Sequence, residues 1–222
     1  MSQPAISFLG VGLMGAPMVA RLLEAGFSLT LWNRTPAKAQ VFSGRARLAS
    51  SPAEAVAGAD VVITMLESGQ VVDQVLYQSG AIRQLRQGAL VIDMSSIEPG
   101  LARGHGAQVE ALGGGYLDAP VSGGTRGAQA GTLSIMAGGS DETFVRAAAV
   151  FQPLGTVTHI GPVGSGQLAK LANQAIVGIT IGAVSEALLL AAKGGARPEK
   201  VREALLGGFA GSKILEQHGE RM

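Results

Sequence analysis

The sequence contains no cysteine, which removes disulfide frameworks, thiol nucleophiles and thiolate metal sites from consideration together. No metal site is expected. Charge of one sign is also missing: 17 basic residues face 16 acidic ones, so there is no electrostatic footprint for a nucleic acid or an anionic membrane. A small-molecule partner is expected instead. Aromatic residues make up only 4% of the chain, whereas 33 of its 222 residues are glycine. With 47% apolar residues that glycine content reads as tight backbone turns in an α/β protein, not as disorder. The first residues, MSQPAISFLGVGLMG, lack a basic leader region, so no secretory signal is expected and the cytoplasm is the default compartment.

Short β-branched runs alternate with amphipathic segments through the first 160 or so residues. Runs such as VVITML and ALVIDM show no polar alternation, which fits parallel strands buried on both faces. This rhythm predicts an α/β fold with a doubly wound sheet and covered faces. Strand signals stop near Gly164, and a predominantly helical domain follows, giving expected domains at 1–163 and 164–222. The second begins with a long helix that is apolar nearly all round. Leu171 to Ala192 is long enough to cross a membrane, but Lys170, Asn173, Gln174, Ser185 and Glu186 interrupt it, so the helix is expected to be buried in a core or against a partner subunit.

ISFLGVGLMGAPMVARLLEAGFSLTLWNRT carries the chemistry at the N-terminus. Gly10, Gly12 and Gly15 have G-x-G-x-x-G spacing between a strand and a helix, and a second strand ends about twenty residues on. In that context Gly10 permits a sharp turn, Gly12 admits a pyrophosphate to the backbone and Gly15 lets the helix pack closely. The loop Gly10, Val11, Gly12, Leu13, Met14 and Gly15 is therefore expected to bind a dinucleotide. Where an acidic residue would read the ribose hydroxyls of NAD, this chain has Asn33, Arg34 and Thr35. A guanidinium there can fork onto a 2′-phosphate, with Asn33 and Thr35 adding neutral hydrogen bonds, so NADP(H) is expected over NAD(H), which stays possible. An ordinary solvated loop arginine is the alternative.

Three further segments lie at or just beyond strand C-termini, the rim where open α/β sheets bind ligands. They are Met65-Leu66, Ser95-Ser96 and DAPVSGG. In the last, Ser122 offers a hydroxyl, and the amides of Gly123 and Gly124 are unobstructed, which suits a carboxylate; a simple glycine turn would look similar. In GPVGSGQLAKLANQ, Lys170 and Asn173 share one helical face and Gln174 adjoins them. A partly desolvated lysine beside a cationic nicotinamide has its pKa lowered toward a range useful for proton transfer. A lysine snorkelling from a buried helix is the bland alternative.

FLGVGLMGAPM, IDMSS, DAPVSGG with GTLSIMAGG downstream, and GPVGSGQLAKLANQ occur in this order. Together they resemble the β-hydroxyacid dehydrogenase family of 3-hydroxyisobutyrate dehydrogenases and tartronate semialdehyde and glyoxylate reductases, over nearly the whole chain. The resemblance implies a Rossmann-type domain followed by a helical one, and hydride exchange between nicotinamide and a hydroxyl-bearing carbon of a small carboxylate. It also implies Lys170 as general acid or base, Ser122, Gly123, Gly124 and Asn173 as substrate contacts, and Ser96 on the nicotinamide side. KLANQAIVGITIGAVSEALLLAAKGG and GGFAGSKILE are most similar to tartronate semialdehyde reductases. Imine reductases share Trp-Asn-Arg-Thr but resemble a version without the lysine, and 6-phosphogluconate dehydrogenases carry a histidine before it, where this chain has Gln167-Leu168-Ala169. Family members continue past GSKILEQHGERM, so the helical domain is expected to be incomplete, and a homodimer or homotetramer through the long helix is expected. A dinucleotide-binding module without catalysis, used for assembly or sensing, is the competing reading; intact Lys170, Ser122 and Asn173 speak against it.

Overall fold

The computed structural model describes residues 3–220 and divides into two compact units, Met1–Lys170 and Leu171–Met222. In the first, β1 (Ile6–Leu9), α1 (Gly15–Glu24), β2 (Leu29–Trp32), α2 (Pro36–Gln40), β3 (Arg47–Leu48), α3 (Pro52–Val56), β4 (Val61–Thr64), α4 (Gly69–Val72), β5 (Leu90–Asp93), α5 (Pro99–Ala111) and β6 (Gly115–Asp118) alternate. β7 (Val121–Ser122), α6 (Gly124–Ala130), β8 (Leu133–Gly138), α7 (Asp141–Phe151) and β9 (Gly155–Gly161) complete the sheet. Its order is β3-β2-β1-β4-β5-β6-β8-β7, with β9 beside β8. Strands β3 through β6 are parallel, while β8 runs antiparallel to β6 and β7. This is the doubly wound α/β fold of Rossmann type, and the direction of winding switches between β1 and β4.

The central strands β1, β4, β5 and β6 are buried at every residue, as their unbroken apolar runs require. Successive side chains serve opposite faces. Phe8, Ile63, Ile92 and Leu117 join Met18, Leu22, Leu31 and Phe151 in one core, and Leu9, Val62, Val91 and Tyr116 join Val56, Leu76 and Val109 in the other. β9, at the sheet edge, alternates between part-buried and exposed residues. Helix α4 is continued by a π-helical stretch, Asp73–Gln78. The segment read as a glycine loop at Gly123-Gly124 is a turn into α6, which Gly124 opens.

Helix α8 (Ser165–Lys193) begins at the end of the first unit and continues through the second, followed by α9 (Pro198–Leu206) and α10 (Lys213–His218). In the second unit Val184 and Leu188 of α8 pack on Leu215, with Val201, Leu205 and Ile214 around them. Of the two covers expected for the long helix, a core or a partner subunit, the chain's own core supplies only part. Ile176 is 67% exposed, Ile179 74% and Leu190 74%, because α9 and α10 cover only the stretch around Val184 and Leu188. By length and composition Ser165–Lys193 could cross a membrane.

Candidate active site

The glycine loop follows β1 at the winding switch, and its three glycines do different work. Gly10 has a φ of +108°, and a Cβ on it would lie 2.3 Å from the Met65 carbonyl oxygen. A Cβ on Gly15 would lie 1.9 Å from the Gly10 oxygen. Both contacts are closer than any side chain allows, so strand, loop and helix touch backbone to backbone. Gly12 differs: nothing lies within 4 Å of a Cβ built there. The space a side chain would fill is open, and it sits ahead of α1, whose N-terminal position, Met14, provides no side-chain cap. The Ala16 amide donates to the Gly12 carbonyl at 2.9 Å and Pro17 has no N–H, so it is the positive end of the helix beside this open space that favours a phosphate.

Asn33 turns out to support this loop. Its Oδ1 accepts from the Val11 amide at 2.9 Å and its Nδ2 donates to the Thr35 carbonyl at 2.9 Å. These two bonds tie the end of β2 to the loop, and each amide atom keeps capacity for one more. Arg34 is 73% exposed, and its nearest acid, Glu67, lies 4.0 Å away and is 71% exposed, which makes a weak, solvated pair. Thr35 precedes α2 without capping it through its side chain.

On the rim beyond β4 and β5, the Leu66 amide donates to Ser95 Oγ at 2.9 Å. Met65 and Leu66 are half-buried, Ser95 is buried and Ser96 is exposed. Beneath them Asp93 Oδ1 accepts from Thr64 Oγ1 at 2.8 Å and from the Ser95 amide at 3.0 Å. Burial raises the Asp93 carboxyl pKa.

Lys170 points at the third segment. Its Nζ donates to the Val121 carbonyl at 2.9 Å, directly before Ser122, Gly123 and Gly124. The side chain is half-buried, and this loss of water lowers its pKa below the ordinary lysine value, since burial disfavours an ammonium. Asn173 and Gln174 belong to the second unit, where Asn173 Nδ2 donates to Gln174 Oε1 at 2.9 Å.

Around the start of α8 stand two residues, Asp118 and Gln167, for which the motifs predict no role. Asp118, at the end of β6, accepts from the Gly164 amide at 2.7 Å through Oδ1 and from the Gln167 amide at 2.8 Å through Oδ2. Burial pushes its pKa up to about 6, against the pull of those two amides. Gln167 is 1% exposed; its Nε2 donates to the Ser95 carbonyl at 2.9 Å and its Oε1 accepts from the Ile97 amide at 3.0 Å. A Cβ on Gly166 would lie 2.3 Å from the Met136 oxygen and 2.5 Å from the Asp118 oxygen. Asp118 stands in the quoted DAPVSGG segment and Gln167 in GPVGSGQLAKLANQ, three residues before Lys170, and that place before the lysine is the signal that could have drawn attention to it.

Open space at Gly12, the positive end of α1 behind it and a half-buried lysine amine beside a serine-glycine turn define a dinucleotide-dependent dehydrogenase, and the residues fit a nicotinamide dinucleotide. The comparisons narrow this class. Residues 5–161 match the NAD binding domain of 6-phosphogluconate dehydrogenase, and residues 164–222 match the NAD-binding domain of NADP-dependent 3-hydroxyisobutyrate dehydrogenase. Over 219 residues the chain is 44% identical to 2-hydroxy-3-oxopropionate reductase of Escherichia coli, covering 98% of this chain and 75% of that protein. It is 40% identical over 213 residues to 3-hydroxyisobutyrate dehydrogenase of Pseudomonas aeruginosa, covering 95% and 72%. The solved Mycobacterium tuberculosis 3-hydroxyisobutyrate dehydrogenase with L-serine superimposes with a TM-score of 0.89 at 37% identity, covering 98% of this chain and 74% of that one. The chain belongs to the β-hydroxyacid dehydrogenase family, as an NAD(P)-dependent enzyme acting on hydroxy acids.

Proposed function

We propose that this dehydrogenase is an NADP(H)-linked reductase of tartronate semialdehyde or a closely similar small oxo acid, with Lys170 as its proton donor. The observation that carries the reading is the Lys170 ammonium held 2.9 Å from the Val121 carbonyl, next to a hydroxyl and two glycine amides suited to a carboxylate. When bound, the nicotinamide cofactor supplies the hydride. The chain's own work is to orient the substrate carboxylate on Ser122, Gly123 and Gly124 and to bring the Lys170 proton to the carbonyl oxygen as that oxygen gains negative charge. In the opposite direction the neutral amine takes the proton from the alcohol. The 44% identity to 2-hydroxy-3-oxopropionate reductase, the same compound by another name, favours tartronate semialdehyde. A panel of that substrate, glyoxylate, succinate semialdehyde and 3-hydroxyisobutyrate, followed at the nicotinamide absorbance band with the full-length enzyme, tests the reading. No turnover on any of them with either cofactor would defeat it.

Cofactor choice has its own test. Arg34 lies two residues beyond the end of β2 with no acidic residue among its sequence neighbours Asn33 and Thr35, and its exposed guanidinium, only weakly paired with Glu67, can turn to a 2′-phosphate. Charge-assisted hydrogen bonds of this kind contribute about 1.5–3 kcal/mol. Replacing Arg34 by alanine is expected to raise KM for NADPH about 10- to 100-fold while leaving that for NADH within a factor of about two. An unchanged NADPH-to-NADH ratio would remove Arg34 from the reading.

Assembly is part of the same proposal. Ile176, Ile179 and Leu190 of α8 expose apolar surface that a second copy of the chain would cover. Light scattering is expected to give a multiple of the 22.5 kDa chain mass; a monomer at micromolar concentration contradicts it.

A further inference from the structure

We propose that Asp118 and Gln167 are positioning residues for the reaction: together they latch the first turns of α8 to the sheet rim and so fix where the Lys170 amine stands. The inference rests on Lys170 being the proton donor, as argued above, and concerns how the chain holds it there.

A helix start is usually satisfied by the side chain of a residue adjoining it. Here the cap comes from Asp118, 46 residues before Gly164 and 49 before Gln167, and each carboxylate oxygen takes one amide. The cap therefore ties the helix to the end of β6 as well as satisfying it. Gln167 adds a second tie in another direction, donating to Ser95 and accepting from Ile97 on the connection between β5 and α5. Gly166, between the two anchors, has no room for even a methyl group against Met136 and Asp118. The helix start is thus held on two sides by hydrogen bonds and seated backbone to backbone, with little freedom to slide or tilt.

Lys170 follows Gln167 by three residues, about one helical turn. Its amine meets the Val121 carbonyl, which follows Asp118 by three residues on the adjoining strand segment. Both ends of that contact are set from Asp118. Ser95 extends the chain of contacts: its carbonyl receives Gln167, and its hydroxyl receives the Leu66 amide. One residue thereby joins the α8 start to the rim of β4 at the winding switch, where the glycine loop lies. Proton transfer to a carbonyl under hydride attack tolerates little error, since a displacement of about 1 Å in a reacting group can cost on the order of a hundredfold in rate.

Asp118→Asn and Gln167→Leu, with Lys170→Met alongside, test the latch in the full-length enzyme. Asparagine keeps the size of Asp118 but turns one acceptor into a donor facing an amide; leucine keeps most of the volume of Gln167 and removes both of its hydrogen bonds. In cofactor-free protein, hydrogen exchange at the Gly164 and Gln167 amides is expected to speed up at least about tenfold in Asp118→Asn. Per titrated active site, kcat is expected to fall about 30- to 100-fold in either variant while KM for NADPH stays within about threefold, and the isotope effect with 4-deuterated cofactor is expected to rise as hydride transfer becomes limiting. Faster exchange or a lower melting temperature with kcat per site within threefold of wild type would reduce the pair to fold stability and overturn the proposal. Should Asp118→Asn fail to fold, Gln167→Leu decides by the same criteria. Wild-type turnover in Lys170→Met would instead overturn the catalytic reading beneath it, whereas an inactive Lys170→Met with fully active latch variants would overturn the latch alone.

Discussion

Lys170→Met is expected to lower kcat for semialdehyde reduction about a thousandfold, or about 4 kcal/mol of transition-state stabilisation, in the middle of the range for general acid catalysis. Methionine matches the lysine's length and apolar stem, so the loss tracks the amine, apart from the Val121 carbonyl left without its donor. Lys170→Arg separates charge from proton donation: arginine keeps the cation and can donate to Val121, but its guanidinium does not give up a proton at any working pH. If the amine is the acid, Lys170→Arg should be nearly as slow as Lys170→Met; more than a tenth of wild-type kcat in the arginine variant contradicts the role. The pH profile follows with a definite sign. Reduction requires the ammonium, so its kcat/KM should be level at low pH and fall as pH rises through the Lys170 pKa. Oxidation requires the free amine and should rise through the same pKa. Because burial lowers that pKa, both limbs should lie below the ordinary lysine range, and both should vanish in Lys170→Met.

Gly15→Ala is expected to weaken NADPH binding by more than about a hundredfold and to lower the melting temperature, since forcing a methyl group into a packed site costs roughly 1–3 kcal/mol in stability alone. The added Cβ would stand 1.9 Å from the Gly10 oxygen, 3.0 Å from its carbonyl carbon and 3.1 Å from Phe8 Cε1. Gly10 is itself held, its amide donating to the Trp32 carbonyl at 3.0 Å and its backbone close against that of Met65. The N-terminal turn of α1 must therefore move, carrying its amides away from the place a pyrophosphate would occupy. Gly12→Ala is the contrasting change. Its methyl group enters open space, so the melting temperature should hold while NADPH affinity falls. Calorimetric melting and cofactor titration by nicotinamide fluorescence measure both effects. Wild-type NADPH affinity in Gly15→Ala would refute the close-packing argument, and wild-type affinity in Gly12→Ala would move the cofactor away from this loop.

The parts of the site legible in the sequence are those whose determinants lie close together along the chain. Gly10, Gly12 and Gly15 carry their spacing within one loop, and the apolar runs of β4 and β5 announce burial on both faces. The lysine was conspicuous because an amine at the head of an apolar helix is costly without a task. Ser96 rests on the resemblance alone, while the structural part of its neighbour Ser95, a buried hydroxyl that accepts from Leu66, shows only in the fold. The part Asn33 plays in bracing the loop, through Val11 and Thr35, likewise shows only in the fold. Burial of the long helix could not be read from composition, because an apolar surface does not say which surface covers it.

The sequence by itself determined the α/β winding and the dinucleotide loop, since hydrophobic period and local glycine geometry act over a few residues, and the order of its four motifs carried the resemblance to the family. Only the tertiary structure decided that Asp118 caps a helix and that Gln167 bridges to Ser95 across 72 positions. Such bonds depend on where folded backbone leaves an amide or carbonyl without a partner. Neither spacing nor periodicity along a chain records that.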